Sequence, residues 1–196
     1  MLGGTPVWRL NRVRRFAGVP SPDRRATISM GASEASSSSR ARSMRACVLH
    51  DLGTSPAAGG TQRFEVDGAD LAAEFLTGNG VGARGVDLVW EAIALHSSPG
   101  IAERRGALAY LTRRGVGIDF GPGSEFITDA QGEAVHSRYP RLRMVPSLID
   151  EIVRHAGRSP QNAPRYSIAG ELVRERGQQG HPTAMERAAL TSRWGE

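Results

Sequence analysis

Apolar positions at i, i+3, i+4 and i+7 run through Val86, Val89, Trp90 and Ile93, and His96 continues the stripe. This spacing predicts an amphipathic helix over Arg84–His96 with His96 facing inward. Leu142, Val145, Leu148, Ile149 and Ile152 form a second helical stripe. A helix is expected over Asp67–Leu76, with Asp67 as N-cap and Asp70 in its first turn, ended by Gly78-Asn79-Gly80. Further helices are expected over Ala102–Arg114 (an extension to Ile118 stays open), Thr128–Arg138, Ile168–Arg176 and Thr183–Ser192. Ala46-Cys47-Val48-Leu49 reads as a buried run in the last turns of a helix that Gly53 stops. No useful β-alternation and no repeat appears. The expected fold is an all-α, irregular bundle of about six or seven helices over 45–196.

Residues 1–44 read differently. Gly31 to Arg45 holds Ser36-Ser37-Ser38-Ser39 and three Arg, with almost no large apolar residue. Such a segment buries too little surface to offset its ordering entropy, so 1–44 is expected to be disordered or aberrant. Its Arg-rich, Ser-rich, acid-poor composition also resembles an organelle transit peptide. A mistaken start or reading frame before about Met44 is the preferred account of it.

Charge follows the same division. The net +5 arises because residues 1–46 hold nine Arg against Asp23 and Glu34, whereas the rest holds 16 Arg against 18 acids. The body is slightly acidic, which argues against nucleic acid as its partner. No apolar run is long enough for a membrane span, and Leu10–Arg15 is too charged for a signal-peptide core. The lone Cys47 permits no internal disulfide and suits a reducing, cytoplasmic setting. A small-molecule substrate is the expected partner, and a homo-oligomer is left open.

The chemistry centres on His50-Asp51. A neutral imidazole and a carboxylate at a helix end offer two ligands to one divalent ion. Adjacent helix positions point about 100° apart, so both can reach an ion beside the helix. Ser97-Ser98 reads as a helix terminator, since the sequence places no general base beside it. Gly115–Gly123 lacks the Gly-Lys-Ser/Thr ending of a phosphate loop. Arg104-Arg105 and Arg113-Arg114 read as solvated faces, and His136, His155 and His181 as structural or surface residues.

The segment Ala46–Ser55, apolar residues followed by His50-Asp51-Leu52-Gly53, resembles the dyad segment of HD-superfamily metalloproteins. Arg63-Phe64-Glu65 and Ile93-Ala94-Leu95-His96 resemble its cyanamide hydratase-like branch, and Gly117-Ile118-Asp119 resembles the place of its final Asp ligand. The resemblance covers about residues 46–176. It implies that His50, Asp51 and Asp119 bind a divalent metal ion (Zn, Fe or Mn). It also implies that His96 lines the pocket to position substrate or shuttle a proton, and that Glu65 accepts a proton near the metal. Cyanamide- or nitrile-like hydration is the implied reaction, with phosphohydrolysis as the alternative. The family pattern opens with a further His ligand well before the dyad, and this chain has no His before His50. A truncated, catalytically impaired member is therefore the third reading. Read from the residues alone, Asp119 serves equally as a helix-end residue, His96 as a core histidine and Glu65 as a first-turn carboxylate.

Overall fold

Small residues let the first helices approach closely. Ala69 and Ala72 on α2 (Phe64–Gly78) are fully buried, and α3 (Ala83–Ala94) packs against them through Val86, Val89, Ala92 and Ile93. Trp90 lies at the edge of this contact, where its indole N–H donates to Asp70 Oδ1 at 2.8 Å. Ala46 from α1 (Met30–Leu49), and Ala102 and Ala109 on and before α4 (Ala107–Asp119), close the same core.

A second core forms where α6 (Met144–Ala156), α7 (Ile168–Arg176) and α8 (Ala184–Leu190) meet. Val145, Ile149, Ile152, Ala169, Leu172 and Ala189 fill it together with Phe64, the first residue of α2. The short α5 (Asp129–Arg138) starts in a capping box: Thr128 accepts from the Gln131 N–H while the Gln131 side chain accepts from the Thr128 N–H. Thr183 and Glu186 make the same pair at α8.

This computed structural model describes residues 30–178 and 181–194, with side chains from residue 38 onward. The chain divides into two units, residues 1–36 and 37–196. The first lies almost wholly outside the described residues, and so does the expected disorder of residues 1–29. Among the described residues every regular element is helical, and no helix is long and apolar enough to cross a membrane.

Several expectations are corrected. The stretch from Gly31 to Arg45 is helical, as the body of α1. It lacks an apolar face, as its composition requires, but it extends a helix whose far end is anchored by buried Ala46. Propagating an existing helix costs far less than nucleating one. Ala46–Leu49 is not a buried run, because successive helical positions point in different directions and Val48 is 74% exposed. Asp67 is not an N-cap: α2 begins three residues earlier at Phe64, and Asp67 turns into the core. Leu142 leaves its stripe and is 70% exposed, since Leu142 and Arg143 take left-handed backbone conformations before α6 begins. Gly106, at φ 103°, separates a short 3-10 turn over Ala102–Arg104 from α4, which runs on to Asp119.

Candidate functional site

α1 ends at Leu49 and delivers the dyad into the turn that follows. A 3-10 turn over Leu52–Thr54 comes next, and Thr54 fixes its start: its N–H and its hydroxyl both donate to the Asp51 carbonyl, at 3.0 and 2.8 Å. Gly53 is buried there against α2. A Cβ at Gly53 would lie 1.7 Å from the Phe64 carbonyl oxygen, and one at Gly68 would lie 2.7 Å from the Gly53 nitrogen. Main chain therefore meets main chain at this crossing, which sets the distance from the dyad to α2.

His96 enters from the other side, just beyond the end of α3, and is 3% exposed. Its ring stands edge-on to His50 with centroids 5.1 Å apart, and edge-on to Phe64 at 5.7 Å. The Asp51 carboxylate faces both imidazoles. Oδ2 is 3.1 Å from His50 Nε2, and Oδ1 is 3.9 Å from His96 Nε2.

The two histidines are anchored alike. His50 Nδ1 lies 2.8 Å from the Cys47 carbonyl, and His96 Nδ1 lies 2.6 Å from the Ile93 carbonyl. A carbonyl only accepts, so each Nδ1 carries the hydrogen and each Nε2 of a neutral ring presents a lone pair. Two lone pairs and a carboxylate thus converge, and such a cluster calls for a cation, either a proton or a metal ion.

Burial and charge pull these three groups in different directions. Burial alone pushes the His50 imidazole down, but its hydrogen bond and charge pairing with Asp51, the Cys47 carbonyl and the charge of Asp119 hold it above the ordinary histidine value. Burial pushes the Asp51 carboxyl up, and the bond and charge of His50, with His96 behind them, outweigh this and hold it low. At His96 burial wins: the charge of His50 adds to it, and Asp51, the Ile93 carbonyl and Glu65 oppose it without reversing it. The imidazole of His96 is therefore held below its ordinary value.

The other two expected site residues stand further off. Asp119 ends α4 and is half exposed, and its Oδ1 lies 2.9 Å from Arg141 Nη2, which also donates to the Asp119 carbonyl at 2.7 Å. It reaches the dyad through its charge on His50. A cleft of about 350 Å³ opens beside it, lined by Phe120, Pro122, Ser124, Ala188 and Thr191 among others. Glu65 is fully buried. Its Oε1 accepts from Arg63 Nη2 at 2.6 Å and from the Ser97 hydroxyl, and its Oε2 accepts from Arg63 Nε at 3.3 Å. Both oxygens are engaged, so Glu65 acts on the site through its charge at His96 rather than as a free proton acceptor.

Two imidazole nitrogens and a carboxylate are donor types that Zn, Fe and Mn accept. Among the described residues no three His, Cys, Asp or Glu side chains stand together at a spacing that could hold a metal ion. The wider of the two gaps around Asp51 is the one to His96. No family model matches the chain, and no curated protein and no solved structure matches it either.

Sequence reasoning missed Arg63, Ser97 and Arg141. Arg63 stands two residues before Glu65 at the start of a helix, which signals a local ion pair, and Ser97 follows His96 directly. Nothing in the sequence points to Arg141 as the partner of Asp119, 22 residues away.

Proposed function

We propose that this chain is a metal-dependent hydrolase or hydratase of a small molecule, of the HD type. The observation that supports it is the convergence of His50 Nε2, the Asp51 carboxylate and His96 Nε2, with both Nδ1 hydrogens tied to main-chain carbonyls. His50 and Asp51 would hold the ion, and Asp119 would add negative charge from the end of α4. A divalent ion bound there lowers the pKa of a water molecule and polarises an electrophile.

The remaining work belongs to the chain itself. His96, whose imidazole burial holds below its ordinary value, would exchange a proton at Nε2. Phe64 stands edge-on to the buried His96 ring and shields it from bulk water. Glu65, fixed by Arg63 and Ser97, supplies a steady negative charge that would favour His96 once it is protonated. Hydration of a nitrile-like carbon is the preferred reaction, and hydrolysis of a phosphoester is the alternative; both need the same water.

A second reading has its own observation. α1 leads straight into the dyad without a single His, and none precedes it in the chain. On that reading the bundle persists as an impaired member, and a proton shared by His50 and Asp51 satisfies the cluster.

Metal content separates the two. Purified protein is expected to hold about one divalent ion per chain, lost in His50→Ala/Asp51→Ala. No metal above that control would leave the impaired reading standing. For the loaded protein, turnover of a nitrile but not of nucleotide phosphates supports hydration, and the reverse supports phosphohydrolysis.

A further inference from the structure

The start of α6 has no side-chain cap. Its N-cap position is Arg143, whose backbone is left-handed at φ 61° rather than extended as at most caps. The Met144 N–H bonds to the Arg141 carbonyl at 2.9 Å, and the Ser147 N–H to the Arg143 carbonyl at 3.2 Å. Pro146 has no N–H to offer. The Val145 N–H is left without a partner among the described residues, although Val145 is buried. Buried main-chain donors rarely stay unpaired. First-turn N–H groups point out of the helix start, where the helix carries partial positive charge. No acid stands in this first turn to complement that charge.

A hollow of about 160 Å³ opens at the same place. Met144, Val145, Pro182, Ala189 and Leu190 give it an apolar wall, and Arg141 and Arg143 also line it. Arg143 is exposed and forms no ion pair among the described residues. The Arg141 side chain is only 8% exposed; its Nη2 serves Asp119, while its Nη1 is buried with no partner. The acid in the wall, Glu186, is already engaged: it accepts from the Thr183 N–H and hydroxyl at 2.7 and 2.9 Å and lies 3.0 Å from Arg176. Positive charge is therefore in excess around an apolar hollow.

We infer that this hollow binds a small carboxylate with a compact apolar body, its charge set at the α6 start beside Arg143 and Arg141. The body would lie against Ala189 and Leu190 of α8. Each half of the ligand follows from the lining. An apolar cavity of about 150 Å³ takes one benzene ring, so a body of that size fits this volume. The open Val145 N–H and the arginines call for an anion. An inorganic anion such as phosphate would satisfy them but leave the apolar wall without a contact. The site uses none of His50, Asp51 and His96, so it stands or falls independently of the metal reading.

The test is a titration of the isotope-labelled full chain with benzoate, followed through its amide resonances. A saturable shift is expected at Val145, Ala189 and Leu190, with His50 and His96 unmoved. Benzamide has the same shape without the charge. It is expected to bind at least about tenfold more weakly, as the loss of a charge-assisted hydrogen bond implies. Arg143→Gln should weaken benzoate by a similar factor, and its own spectrum reports whether it is folded. Inorganic phosphate should bind more weakly than benzoate. Absence of a saturable shift at Val145 would leave water as the occupant and overturn the inference. Benzamide binding as tightly as benzoate, or unchanged affinity in Arg143→Gln, would overturn it by removing the charge from recognition. Phosphate binding as tightly would overturn it by removing the apolar body. The three-ligand comparison needs no variant.

Discussion

His155 Nε2 lies 2.9 Å from Asp67 Oδ2, and both side chains are buried although 88 residues separate them in the chain. The same Asp67 oxygen accepts from the Gly60 N–H at 2.8 Å, and Asn162 reaches the carbonyls of Gly60 and His155 at 2.8 and 2.9 Å. This network fastens α6 to the first turn of α2 and to the loop before it. Asp67→Ala removes the acceptor from two buried donors, so it should cost about 3 kcal/mol. Urea unfolding of the two proteins checks this. A loss below about 0.5 kcal/mol would show that the network contributes little.

Arg63 and Glu65 should behave as a unit. Glu65 is fully buried and Arg63 is its cation, with only the Ser97 hydroxyl besides. Arg63→Met strands the carboxylate and is expected to destabilise by about 3 kcal/mol. Adding Glu65→Gln should restore much of that loss, because the amide needs no counter-charge. A double-mutant cycle in denaturant gives the coupling, and simple additivity would argue against the pairing.

Glycines separate into two kinds. Alanine at Gly53 would collide with the Phe64 carbonyl, and alanine at Gly68 with Gly53, backbone in both cases. Each is expected to cost more than about 3 kcal/mol or to prevent folding. Gly115 lies inside α4 with open space around its missing Cβ and no positive φ. Gly115→Ala should stabilise by about 0.5–1 kcal/mol. Thermal melts of the three variants test the contrast directly.

Acid should weaken the α8 start. Burial pushes the Glu186 carboxyl up, but hydrogen bonds from the Thr183 N–H and hydroxyl and the charge of Arg176 outweigh it and hold it below its ordinary value near 4.5. A group lowered in the folded state contributes stability that is present above its unfolded pKa and lost as pH falls through the folded one. The contribution of Glu186 is thus intact at neutral pH and fades below about pH 4.5. Comparing unfolding of the parent with Glu186→Gln across pH 3 to 7 should show the two curves converging toward the acid end. Parallel curves would remove this role.

The sequence made helices with strong local signals legible. Val86, Val89 and Ile93 are buried as their period requires, and Thr128 and Thr183 mark helix starts because their capping boxes are local chemistry. Leu142 has the right period and the wrong surroundings, since the left-handed pair at Leu142-Arg143 reflects the route of the chain into α6. Asp67 looked like a cap because Asp favours caps. Its real partner, His155, comes from a helix that no local window includes. At the candidate site, the dyad and the inward direction of His96 could be read in advance. The engagement of Glu65 by Arg63 and Ser97, and of Asp119 by Arg141, depends on contacts across the fold.

Cys47 contributes only its carbonyl to His50, while its side chain is exposed, and it is the sole cysteine in the sequence. The chain thus carries a ready attachment point for a fluorophore or spin label one helical turn from the dyad. Partial burial pushes the thiol up, so coupling calls for mildly alkaline buffer. A label there would report events at His50 and Asp51 as a spectroscopic ruler, without altering any side chain the site uses.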